Sequence, residues 1–80
     1  MEIRYSKQAI KFLSKQEQSV RRRIKEAIEN LPDGDVVKMR GQPYYRLRVG
    51  NFRVLFTRDG HIIAVTKIEN RGQVYQQRRM

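Results

Sequence analysis

Cysteine is missing from this 80-residue chain, and histidine occurs once, at His61. Without thiols there can be no disulfide framework, thiolate metal centre or cysteine nucleophile. A lone imidazole also excludes zinc sites built on paired histidines and argues against a serine–histidine–aspartate arrangement. We therefore expect neither a metal nor a cofactor. Long apolar runs are absent too: the longest is Ile62-Ile63-Ala64-Val65, whereas a membrane helix needs roughly 18 such residues. At the amino terminus Glu2, Arg4, Lys7 and Lys11 interrupt any apolar stretch of the kind a secretory signal carries. These absences lead to the expectation of a cytoplasmic protein with no membrane partner.

Negative charge is scarce as well. Eighteen Lys and Arg stand against eight Asp and Glu, a formal charge of +10. The excess is uneven, because positions 1–37 hold eight basic and six acidic residues (+2) while positions 38–80 hold ten and two (+8). Like charge gathered in one compact region repels itself, so it usually serves to attract something negative. Nucleic acid, an acidic protein segment or an anionic surface would each suit. The bland alternative is a soluble protein that happens to be basic.

The length allows one domain, residues 1–80. Within it, Glu2-Ile-Arg-Tyr5 alternates polar and apolar as a short strand does, and Ser6 offers a helix N-cap. Ala9, Ile10 and Leu13 then recur at helical spacing, with Phe12 adding bulk, before a break at residues 14–16. A second helix fits residues 17–30, where Val20, Ile24, Ala27, Ile28 and the following Leu31 lie on one stripe. After the turn chemistry of Leu31-Pro-Asp-Gly-Asp35 the period changes from 3.6 to 2. Tyr45, Leu47 and Val49 alternate with basic neighbours, Gly50-Asn51 signals a hairpin, and Phe52, Val54 and Phe56 continue the alternation. Asp59-Gly60 makes another turn, and residues 62–68 form a further strand. The expected fold is α+β: an N-terminal strand, a two-helix hairpin, then an antiparallel meander with both helices on one sheet face.

That architecture has a functional corollary. If Tyr45, Leu47, Val49, Phe52, Val54 and Phe56 face the helices, then Arg46, Arg48 and Arg53 share the opposite, open face. Strand arginines can be mere solvated charge, but three together form an anion-binding surface.

Four segments carry a family resemblance. They are Lys38-Met-Arg40-Gly-Gln-Pro43, Tyr45-Arg46-Leu47-Arg48, Gly50-Asn-Phe-Arg53-Val-Leu-Phe56 and Ile68-Glu69-Asn70-Arg71-Gly-Gln-Val-Tyr75. In order, spacing and length the chain resembles the RelE/ParE superfamily of type II toxin–antitoxin toxins, and its RelE-like branch in particular. The resemblance implies a ribosome-dependent endoribonuclease that cuts messenger RNA in the A site, beside 16S ribosomal RNA, and is silenced by a cognate acidic antitoxin. It also implies catalytic roles for Arg46, Arg48, Arg53, Arg71 and Tyr75. Apart from the resemblance, Lys38 and Arg40 read as solvated or RNA-backbone-contacting charge, Tyr44 as a base-stacking candidate or a plain edge-packed tyrosine, and Asn70 as a further candidate RNA contact or part of a plain turn. Many members have histidine where this chain has Asn70, and some have lysine in place of Arg46 and Arg48. The superfamily also contains ParE-like poisons of DNA gyrase that do no RNA chemistry, and a toxin whose catalysis has decayed to RNA binding alone is a third alternative.

The chemistry separates the candidates. Metal-free RNA cleavage needs a proton removed from the ribose 2′-hydroxyl, charge stabilised on the phosphorane oxygens, and a proton supplied to the leaving 5′-oxygen. Arginine suits the second task, since its planar fork gives two parallel hydrogen bonds to phosphate and it keeps its charge. For the same reason it is a poor base. Proton transfer falls instead to Tyr75, whose phenol clustered arginines would acidify, or to Glu69 as a possible acceptor that two arginines and a phosphate would keep ionised and weakly basic. His61 ranks below both.

Overall fold

The computed structural model describes residues 1–70. The elements run β1 (Glu2–Tyr5), α1 (Lys7–Ser14), α2 (Gln18–Glu29), β2 (Val36–Lys38), β3 (Tyr45–Val49), β4 (Phe52–Asp59) and β5 (Ile62–Asn70). The strands form one sheet in the order β1-β5-β4-β3-β2, with β1 parallel to β5 and every other pair antiparallel. α1 lies against β5 and β1, and α2 against β3. The α+β class and the one-sided helix layer are as expected. The meander is longer than expected, because Val36–Lys38 adds an edge strand that its brevity and flanking turn chemistry conceal.

One apolar layer holds the helices to the sheet. Ala9 and Leu13 of α1, Ile24 and Ile28 of α2, and Leu31 meet Leu47, Val49, Val54, Phe56, Ile63, Val65 and Ile68, all buried. Ile10 is the exception among the residues assigned to the core, being 57% exposed. Phe12 packs against the core, meeting the Phe52 ring edge-on at 6.0 Å between centroids.

Side chains of the β1–α1 segment tie it to β5. Ser6 Oγ accepts from the Ala9 amide at 3.1 Å, capping α1, and donates to the Thr66 carbonyl at 2.9 Å. β1 ends opposite Val65, so the backbone of β5 beyond that point lacks a strand partner on this edge. The Gln8 amide supplies one: its Nε2 donates to the Ile68 carbonyl at 3.0 Å, and its Oε1 accepts from the Ile68 N–H at 2.9 Å. Buried backbone groups need such partners.

A register shift interrupts the β4–β5 ladder. Leu55 pairs with Lys67 but Phe56 with Val65, which leaves Thr66 as the extra residue of a β-bulge. Its hydroxyl donates to the Leu55 carbonyl at 3.1 Å. Strict alternation from Ile63 and Val65 would send Lys67 and Glu69 toward the helices. The bulge reverses that parity, burying Ile68 and turning Lys67 and Glu69 to the other face.

Candidate nucleic-acid interface

Across the helix-free face the register builds two adjacent rows. In one, Arg48 of β3 faces Arg53 of β4, which faces Glu69 of β5. In the other, Val37 of β2, Arg46, Leu55 and Lys67 follow in turn. Arg46, Arg48 and Arg53 are thus brought together as expected from alternation, and the bulge adds Glu69. Lys67 joins them, and reading the sequence alone misses it because the bulge is what delivers it.

The four cations differ in how they are held. Arg53 donates to Glu69 Oε2 from both Nε (3.0 Å) and Nη2 (2.7 Å), while Lys67 Nζ reaches Glu69 Oε1 at 3.1 Å. Arg48 sits farther from its acid, with Nε 3.9 Å from Asp35 Oδ2 and both side chains about half exposed. Arg46 forms no ion pair among the described residues. Burial disfavours the charged form of Glu69, but hydrogen bonds and charge from Arg53 and Lys67 outweigh it, so the carboxyl lies below its ordinary range. A carboxylate held in this way is a weak base.

Other candidate residues fall elsewhere. Lys38 pairs in register with Tyr45, on the helix side of the sheet. Its Nζ lies 5.5 Å from the Tyr45 ring centroid and donates to the Gln42 carbonyl at 2.8 Å. Asn70 pairs with Phe52, again in a helix-side row. Neither Lys38 nor Asn70 joins the arginine rows. Arg40 is exposed in the β2–β3 loop, and Tyr44 is half-buried just ahead of β3, its carbonyl accepting from the Met39 amide. His61 stands at the opposite end of the sheet, in the β4–β5 turn; six strand residues, roughly 20 Å, separate that end from Arg53. Arg71 and Tyr75 lie outside the described residues. Among the described residues no cluster of side chains is suited to a metal ion.

The whole arrangement, a basic face on a mixed sheet backed by two helices, has relatives. Residues 3–75 match the family model described as the ParE toxin of the type II toxin–antitoxin system, parDE. The chain belongs to the RelE/ParE toxin superfamily. This toxin is 30% identical to a chain of the RelB–RelE antitoxin–toxin complex of Methanococcus jannaschii, with 92% of it and 96% of that chain covered and a TM-score of 0.71. For the RelE–RelB complex of Pyrococcus horikoshii OT3 the values are 25%, 90%, 96% and 0.73. The YoeB dimer of Staphylococcus aureus shares the fold at 20% identity, with 84% and 92% covered and a TM-score of 0.64. No curated protein matches the sequence.

Chemically, the toxin's open face is equipped to bind a polyanion. Arg53 uses Nε and one edge of Nη2 on Glu69, which leaves its Nη1/Nη2 end with no partner among the described residues. That end has the two-donor geometry that matches a phosphate. Arg46 and Arg48, two residues apart on β3, add charge beside it.

Proposed function

We propose that this toxin is a metal-independent endoribonuclease that cuts messenger RNA on the ribosome. A single observation carries the reading: Arg46, Arg48 and Arg53 share one sheet face that neither helix covers. Their permanent charge would stabilise the phosphorane, with Arg53 presenting the free end of its fork to a non-bridging oxygen and Arg46 supplying the least neutralised charge. Arg71 would contact the same phosphate and Tyr75 would orient the target nucleotide and move a proton. Lys38 and Asn70, in helix-side rows, are less suited to this RNA path than Arg40 and Tyr44 at the head of β3. The RelB–RelE complexes of the two archaeal relatives support an antitoxin partner, here an acidic segment that covers the arginine face.

The test is to map RNA ends after brief induction. The wild type should leave breaks within codons of translated messages. Arg53→Ala should lower cleavage by about 10²- to 10³-fold, the loss typical of removing one key donor. A folded Arg53→Ala variant that cuts as well as the wild type refutes the assignment. The matching family model is that of ParE, and this motivates a second reading, a DNA gyrase poison with no RNase activity. That reading is favoured if induction triggers a DNA-damage response while transcripts stay intact.

A further inference from the structure

We infer that Glu69 is the positioning residue of Arg53, holding its guanidinium in the plane that offers the free Nη1/Nη2 end to an RNA phosphate. The inference rests on the RNA-binding reading of the arginine face. It starts from a conflict in the register, because Arg48 and Arg53 face each other directly across β3 and β4. Like charges so placed repel, and a long side chain relieves this by swinging aside. Glu69 prevents that. It takes both Nε and Nη2 of Arg53 on a single oxygen, and its other oxygen is held by Lys67. The carboxylate is therefore clamped from two sides and cannot follow Arg53 if the guanidinium rotates.

The bonding pattern leaves the working edge free. An acid lying across the Nη1/Nη2 end would compete with phosphate for the same donors. Glu69 instead lies along the Nε side, so carboxylate and phosphate can be bound at once. The local fold is arranged around this contact, since only the bulge at Thr66 turns Lys67 and Glu69 to the arginine side.

Simple electrostatics and positioning predict opposite signs. Deleting a negative charge beside a polyanion site should tighten binding if Glu69 merely repels or competes with RNA. If Glu69 positions Arg53, the deletion should weaken binding, because the guanidinium must then be ordered on contact. The experiment measures binding of a short single-stranded RNA with 2′-O-methyl riboses, which cannot be cut by 2′-hydroxyl attack, to the full-length toxin and its variants. Glu69→Ala should bind about tenfold more weakly, in line with the loss of a charge-assisted contact. Glu69→Gln removes the same charge but keeps an oxygen that can accept from Arg53, and should recover most of that loss. In an Arg53→Ala background, Glu69→Ala should have no further effect, and thermal unfolding of each variant confirms that the fold is intact.

Binding by Glu69→Ala that equals or exceeds the wild type overturns the inference. So does an equal loss with and without Arg53, or a Gln variant no better than Ala. If Arg53→Ala itself binds normally, the arginine face is not the RNA site and both readings fall. If Arg53→Ala binds weakly but Glu69 shows no coupling to it, only the positioning role is lost.

Discussion

Replacing Arg48 with Thr should make the free toxin more stable, although it removes one cation from the proposed RNA face. Arg48 faces Arg53 in the β3–β4 register, and like charges directly opposite on a sheet destabilise by roughly 0.2–1 kcal/mol. The compensating contact is weak: Arg48 Nε stands 3.9 Å from Asp35 Oδ2, with the two side chains 49% and 60% exposed. Such a pair is worth at most a few tenths of a kcal/mol, roughly the lower end of measured surface ion pairs. The stronger link to that loop, from the Arg48 N–H to the Asp35 carbonyl at 3.0 Å, belongs to the backbone and survives the substitution. Threonine also suits a strand. The net gain should be about 0.5 kcal/mol, or about 2–4 °C in Tm for a domain of this size. Circular dichroism melts of the toxin without antitoxin or RNA, at about 20 mM and about 1 M salt, give the answer. At high salt the Debye length falls to about 3 Å and the difference should shrink. A variant that melts more than about 2 °C below the wild type at low salt would refute the reasoning, as would a gain unchanged by salt, since either outcome shows that repulsion is not what Arg48 contributes.

Ser6→Ala removes both the α1 cap and the donor to Thr66, and should lower stability by about 1–2 kcal/mol; Ser6→Asp, which restores only the cap, should fall between, as urea midpoints will show. Gly50 and Gly60 both sit at positive φ, +59° and +61°, so alanine at either should cost about 1 kcal/mol. A Cβ on Gly60 would meet nothing within 4 Å, whereas one on Gly50 would come within 2.6 Å of Arg23 Nη2. Gly50→Ala should therefore be slightly the worse of the two in thermal melts, and Arg23→Ala should erase the difference between them.

The β3–β4 hairpin and its three arginines were legible because Gly50-Asn51 fixes the turn, and alternation on either side then fixes the faces. Ser6 and the α2 stripe were legible for similar local reasons. Lys67 and Glu69 were not, since a bulge is set by the fit of β5 against Leu55 and Phe56, and no period in residues 62–70 announces it. Sequence makes Glu69 a candidate acceptor that neighbouring arginines keep ionised and weakly basic, but only the bulge brings Lys67 onto its second oxygen. In sequence Lys38 belongs with the basic segment that follows it. Only the pairing of β2 with β3 places it beside Tyr45 and away from the arginines. The Gln8 clamp on Ile68 joins residues 60 apart, a contact that helical spacing does not reveal.

The parallel seam between β1 and β5 bears on how the molecule is made. Glu2 pairs with Ile62 and Tyr5 with Val65, so the first strand to be synthesised has its partner only after nearly all other described residues have followed. Until then Ile3, Ala9 and Leu13 have no β5 to cover them. Pairings this distant in sequence form slowly, and nascent chains that await them keep apolar surface exposed. The arginine face depends on the same late strand for Glu69 and Lys67. Among the described strands, the one that completes the basic face is therefore the last to leave the ribosome.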